Sequence, residues 1–356
     1  MDKPEKMIDS AENIKAIDAG NMLDLVGQMP EMLEKGWAIS DEINITRSDD
    51  IKNLVIAGMG GSAISGDIVA AILRDQAGFP VHVNRNYTCP KFVGKGTLFI
   101  AVSYSGNTEE TLSAFKKALE RGANIISICS GGELMDLSKK NDIPVIEVST
   151  GLPPRAALGY LLSTLLNVLN KLGINKNLKT DLEEAVKLLK QLVRQYGPAQ
   201  QLRENPVKMA AVRLFGKIPV IFAADGTTSA AGLRWKTQIN ENSKTTAVLA
   251  VFPELDHNDI VNFAALSPGQ HNFSMVILRD EDDLGRMKRR IEITKSLISG
   301  FVGGTSEIWA QGKSLLAKIL SLIIYGDFLS VYLGVISGID PTPVEIIEKL
   351  KKELAR

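Results

Sequence analysis

LVIAGMGGSAISGDI, residues 54 to 68, joins an apolar run of strand type to a helical pattern through a turn that carries Gly58, Gly60, Gly61 and Ser62. A strand that enters a helix through a glycine turn is the first half of a βαβ unit. The runs VHV, TLFIAVS, NIISICS and PVIEV follow, each separated from the next by a longer helical stretch. Such alternation predicts an α/β protein with a parallel sheet covered on both faces.

A second copy of the opening pattern stands at residues 219 to 233, PVIFAADGTTSAAGL, again strand, glycine turn, hydroxyl pair, glycine, helix. Further strand-like runs follow in TTAVLAVFPE and FSMVILR, then long closing helices. Between the halves, from PPRAALGYLLSTLLNVLNKL onward, the apolar spacing is helical only. The expected division is a first α/β domain with a helical lead-in over 1–152, a helical connector over 153–200, and a second α/β domain over 201–356. Gly58, Gly60 and Gly61 have only Gly226 as counterpart, so the first copy is the one built for close approach of a ligand.

The 41 basic residues balance 41 acidic ones, which argues against nucleic acid or an anionic membrane as the main partner. Two cysteines, Cys89 and Cys129, fit no metal spacing and read as reduced thiols, so a cytoplasmic protein is expected. The opening residues mix charges without an apolar segment, and no secretory leader is expected. The apolar stretch near 315–338 has the length of a membrane span but contains Lys318 and Asp327. It is expected to be a buried helix at a subunit contact.

Nucleotide motifs fit poorly. Gly58, Gly60 and Ala63 have G-x-G-x-x-A spacing, yet the next strand ends in Asn84, Arg85 and Asn86 with no carboxylate for a ribose, leaving only an NADP reading through Arg85. The residues after Gly66 are Asp67 and Ile68, so no P-loop is present. The histidines, His82, His257 and His271, are scattered and form no metal motif.

The segment FIAVSYSGNTEET, residues 99 to 111, ends a strand in Ser103, Ser105, Asn107 and Thr108 at the mouth of a helix. A helix N-terminus offers unpaired N–H groups and partial positive charge, and hydroxyls add neutral donors, so a phosphate dianion can bind there without a lysine. Ser103, Ser105 and Thr108 would line that seat, with Gly60, Gly61 and Ser62 closing over the rest of the ligand. The alternative is helix capping, by Ser105 or by Asn107 with Glu110 as a capping box.

Other residues are candidates for chemistry. Glu241, in INENSK, lies where a helical pattern ends; the unfavourable end of the dipole suits a general base, and a surface pair with Lys244 is the alternative. His257, in PELDHND, has Asp256 or Asp259 beside it to set its tautomer, and a plain surface histidine is the alternative. Arg155, in LPPRAALGY, puts a cation in a helix's first turn, against the dipole, where a ligand or a structural carboxylate would compensate it. In DPTPVEIIEKLKK, Thr342 reads first as a helix cap with Glu345, and Lys349 as an ion pair with Glu345.

Taken in order, GMGGSA, SYSGNTEET, LPPRAALGY, NENSK, ELDHND and DPTPVEIIEKLK resemble the bifunctional phosphoglucose/phosphomannose isomerase family of the sugar isomerase (SIS) superfamily. The resemblance implies two SIS domains, each a flavodoxin-like parallel sheet flanked by helices, in a homodimer that acts on a phosphorylated hexose with no metal or cofactor. It implies that Ser103, Ser105 and Thr108 hold the 6-phosphate and that Gly60, Gly61 and Ser62 wall the sugar. Glu241 is similar to the base that moves a proton between C1 and C2. His257, donated across the subunit interface, would open the ring with help from Lys349. Arg155 would stabilise the enediol intermediate, and Thr342 would line the pocket near C2 and C3. The family pattern leads one to expect Asn before the histidine, where this chain has Asp256. The rival readings are a non-catalytic SIS sugar-phosphate sensor, an amino-sugar isomerase of the same superfamily, and an NADP dehydrogenase.

Overall fold

The computed structural model describes residues 4–43, 50–265 and 272–354, so His271 lies outside the described residues. The chain forms two compact units. One comprises Gln28–Lys190 and Gln311–Ser321, and the other Met1–Gly27, Gln191–Ala310 and Leu322–Arg356. The units interleave along the sequence, whereas the expected division set residues 153–200 apart as a connector. Helix Leu158–Lys171 packs on helices Met29–Asp41 and Gly60–Leu73, which ties the start of that stretch to the first sheet. Residues before Gly27 group instead with the second sheet.

The first unit holds a five-stranded parallel sheet of β1 (Asn53–Ala57), β2 (Val81–Asn84), β3 (Thr97–Ser103), β4 (Asn124–Cys129) and β5 (Val145–Glu147). Its order, β2-β1-β3-β4-β5, is the flavodoxin-like order expected. Every residue of β3 is buried, as an unbroken apolar run covered on both faces requires. Val55, Phe99 and Ala101 from the sheet meet Leu112 and Phe115 from helix Glu109–Glu120 in one core.

The second unit holds β6 (Ile218–Ala224), β7 (Val248–Phe252), β8 (Phe273–Arg279) and β9 (Thr305–Trp309), all parallel, in the order β7-β6-β8-β9. β9 falls where only helices were expected. TSEIW has no apolar run because the strand is a partly exposed edge. The core beneath this sheet joins Phe222, Phe252, Phe263, Met275, Ile277 and Ile291.

Among the described residues one helix, Leu315–Ile336, is long and apolar enough to cross a membrane, and its most apolar stretch is fully buried inside the protein. Lys318 and Asp327 within it are buried as well. Cys89 and Cys129 are free and buried, and burial raises both thiols above their ordinary range.

Candidate functional site

In the first unit the turn after β1 and the loop after β3 come together at the carboxyl edge of the sheet, the side on which open α/β sheets bind ligands. The Tyr104 N–H donates to Ser62 Oγ at 3.3 Å, so Ser62, at the start of helix Gly60–Leu73, is fixed beside residues 103–108. Ser103 is buried, and its Oγ lies 2.9 Å from Thr108 Oγ1 and accepts from the Gly106 N–H at 3.1 Å. Ser105 is exposed, with its Oγ accepting from the Asn107 N–H at 3.3 Å.

The capping alternative assigned Ser105 or Asn107 to the helix after this loop, and the geometry differs. The N-cap of Glu109–Glu120 is Thr108, and its side chain makes no cap hydrogen bond. Asn107 serves the next helix instead, its Oδ1 accepting from the Glu133 N–H at 2.9 Å. Gly106 is required for this arrangement: its φ is +69°, and a Cβ there would stand 1.7 Å from the Gly131 carbonyl oxygen. The loop is therefore clamped against residues 130–133, and the Thr108 side chain makes no bond to its own helix.

Tyr104 is a residue that sequence reading missed. Its hydroxyl donates to the Ser149 carbonyl at 2.9 Å and accepts from the Leu152 N–H at 3.0 Å, and burial raises it above the usual phenol range. It thus ties the hydroxyl loop to the segment that delivers Arg155. Arg155 itself is buried in a 3-10 turn, Pro154–Ala156, packed on helix Gly60–Leu73. The α-helix was expected to start at the prolines but begins only at Leu158.

In the second unit, Glu241 stands in the last turn of helix Ser229–Asn242. That helix is locked to Leu315–Ile336 by polar contacts. Arg234 pairs with Asp327 through Nε–Oδ1 at 3.0 Å and Nη2–Oδ2 at 2.8 Å, both residues being buried. Trp235 Nε1 donates to the Leu322 carbonyl at 2.7 Å, and Asn242 Nδ2 to Ser330 Oγ at 2.9 Å. The turn that bears Glu241 is thereby held at a fixed rotation about the helix axis.

Glu241 and Lys349 line one cleft of about 540 Å³, together with Asn240, Lys244 and residues 343–347. Among the described residues, the Lys349–Glu345 ion pair expected from spacing does not form. Lys244 has a left-handed backbone, φ +52°, and its Nζ donates to the carbonyls of Asp340 at 3.0 Å and Pro341 at 2.9 Å. Thr342, next in the chain, is not a helix cap, because the last helix begins at Glu345. Its N–H donates to Asp340 Oδ1 at 2.9 Å, and its side chain rests against Gly20.

His257 ends a short 3-10 turn after β7 and is exposed. Of the two carboxylates considered for its ring, Asp256 is committed elsewhere: Oδ2 accepts from Arg290 Nη1 at 2.8 Å and Oδ1 from Thr294 Oγ1 at 2.7 Å. Among the described residues no group of three or more His, Cys, Asp and Glu side chains could hold a metal ion.

Comparison with known proteins bears on both halves. Residues 49–145 match the family described as SIS domain, and residues 203–354 match the bacterial phospho-glucose isomerase C-terminal SIS domain. A bifunctional phosphoglucose/phosphomannose isomerase from Caldicellulosiruptor bescii is 42% identical over 94% of this chain and 99% of its own. One with the same description from Aquifex aeolicus is 38% identical over 86% of this chain and 91% of its own. Among solved structures, a hypothetical protein from Thermus thermophilus aligns over 99% of this chain and 97% of its own, with TM-score 0.71 at 16% identity. The C-terminal domain of glucosamine-fructose-6-phosphate aminotransferase from Francisella tularensis gives TM-score 0.69 at 17% identity, over 90% and 97%.

Proposed function

This chain belongs to the bifunctional phosphoglucose/phosphomannose isomerase family, and from that premise we propose how its residues carry the reaction. It is an aldose–ketose isomerase that interconverts glucose 6-phosphate and mannose 6-phosphate with fructose 6-phosphate through an enediol intermediate.

Ser103, Ser105 and Thr108 hold the 6-phosphate with hydroxyls and the first amides of helix Glu109–Glu120, and Gly60, Gly61 and Ser62 flank the sugar. This reading is supported by the N-cap hydroxyl of Thr108 turning to Ser103 rather than to its own helix. The sugar ring opens when an acid protonates the ring oxygen while the C1 hydroxyl gives up its proton. In a homodimer, His257 of the partner subunit carries those transfers with help from Lys349, which suits an exposed histidine.

The Glu241 carboxylate then removes the proton from C2 of the open aldose, and the C2 electrons form the C1–C2 double bond of the enediolate. Arg155 stabilises the oxyanion. Glu241 returns its proton to C1 while the O2 proton passes to O1, so the ketone stands at C2 and a hydroxyl at C1. Glucose 6-phosphate and mannose 6-phosphate differ only at C2, so loss of that proton brings both to one intermediate. A small side chain at Thr342 leaves room for rotation about C2–C3. Buried free thiols support a reducing, cytoplasmic setting.

The observation that carries this assignment is the cleft that brings Glu241 and Lys349 together from separate helices. The test is a coupled assay with mannose 6-phosphate and fructose 6-phosphate in chelator-containing buffer. Turnover of both is expected, and dependence on added divalent metal would contradict the mechanism.

A further inference from the structure

None of the residues proposed to act in the reaction lies in the helical lead-in, yet its loop at residues 18–21 packs against Thr342. The three atoms nearest to a Cβ placed on Gly20 all belong to the Thr342 side chain: Oγ1 at 2.1 Å, Cβ at 2.5 Å and Cγ2 at 2.7 Å. Gly20 lies outside the left-handed region, so its backbone would accept an alanine. The space that a Cβ would need is taken by Thr342, and this contact demands glycine here.

Neither side of this contact can yield easily. Asp18 closes helix Ala11–Ile17 and opens the next, its Oδ1 accepting from the Met22 N–H at 2.8 Å and its Oδ2 from the Leu23 N–H at 2.9 Å. Asn21 completes the loop with φ +53° and an N–H donated to the Asp18 carbonyl at 3.1 Å. On the other side Lys244 holds the carbonyls of Asp340 and Pro341, and Asp340 Oδ1 holds the Thr342 N–H. A stiff loop meets a stiff loop, and the Thr342 side chain is the part caught between them.

We propose that the lead-in loop, acting through Gly20, is the positioning element that fixes Thr342 and thereby sets the preference between the two C2 epimers. The inference rests on the assignment of Thr342 to the pocket wall near C2 and C3. Gly20 touches no reacting atom, and its effect runs through the Thr342 side chain.

The test uses the full-length chain, with Gly20→Ala, Thr342→Gly and the double variant assayed for kcat/KM on glucose 6-phosphate and mannose 6-phosphate. Displacing a wall atom by a methyl group is expected to shift the ratio of the two values by about tenfold, the scale on which apolar pockets discriminate a methyl group. In the double variant the new methyl meets no threonine, so its ratio should equal that of Thr342→Gly alone. Should Gly20→Ala not fold, Asp18→Asn keeps part of the cap and loosens the loop without a clash; it is expected to move the same ratio. An unchanged ratio in folded Gly20→Ala, or in Asp18→Asn where that variant replaces it, overturns the inference. So does an additive double variant. An unchanged ratio in Thr342→Gly sinks instead the assignment of Thr342 beneath it, and with it the inference.

Discussion

The hydroxyls of Ser103 and Thr108 stand 2.9 Å apart, one at the end of a buried strand and the other at the N-cap of the helix that follows, where it makes no cap hydrogen bond. A hydroxyl that makes no bond to its own helix is placed to donate to the proposed phosphate. Thr108→Val keeps the shape and removes the donor. Hydrogen bonds to charged groups are worth about 1.5–3 kcal/mol, so KM for glucose 6-phosphate should rise by about tenfold or more with kcat little changed. Initial-rate kinetics check this. An equal loss with a sugar lacking phosphate would remove Thr108 from the seat.

Much of this arrangement was legible in the sequence because it is local. The buried strands β1 and β3 announce themselves as unbroken apolar runs, and the glycine turn and hydroxyl loop sit directly at their ends. What escaped is what depends on partners distant in the chain. Asn107, which the capping alternative gave to its own helix, reaches Glu133, and Asp256, one of two candidate partners for His257, reaches Arg290 and Thr294. β9 escaped because an edge strand needs no apolar run; Glu307 on it pairs with Arg279 and Lys295. Thr342 read as a cap because spacing cannot reveal Gly20, which only the fold brings to it.

Glu241 supplies the second prediction. A general base contributes about 10²–10⁴ in rate, so Glu241→Gln, which keeps size and removes basicity, should lower kcat at least about a hundredfold. KM for fructose 6-phosphate should change little, since Glu241 is not among the groups proposed to hold the phosphate. Proton exchange between solvent and substrate at C1 and C2, followed by NMR in D₂O, should fall in parallel. A variant that retained most of its turnover would show that another group moves the proton.

Asp283 gives a pH dependence whose sign is fixed. It is buried, its Oδ1 accepts from Thr227 Oγ1 at 2.9 Å, and among the described residues its Oδ2 has no partner. Burial, with Asp280 nearby, raises its carboxyl above the ordinary aspartate value. For an acid whose folded pKa is raised, the stabilising contribution is complete below the unfolded value, about 3.9, and is lost as pH rises through the folded one. Asp283→Asn has no such loss and keeps an oxygen for Thr227. The Tm advantage of Asp283→Asn over the parent should therefore grow as pH rises across that window. Thermal melts at several pH values check it, and an advantage that shrank with rising pH would show that Asp283 is stabilised as a carboxylate.

The last prediction concerns the Arg234–Asp327 pair, both members of which are buried, 2% and 1% exposed. Two charges removed from water gain little net stability as a pair, but removing one partner leaves the other uncompensated, at a cost of about 3–5 kcal/mol. Asp327→Ala should therefore lower stability by about that amount in denaturant titrations. Arg234→Met with Asp327→Leu, which removes both charges and refills the space, should recover most of the loss. The pair also anchors the helix that bears Glu241, near its middle, as the bond from Asn242 to Ser330 anchors its end. If its purpose is orientation, the apolar double variant should regain stability while kcat stays low and KM near the parent value. Full recovery of kcat together with stability would show that packing alone, without the paired charges, sets the direction of Glu241.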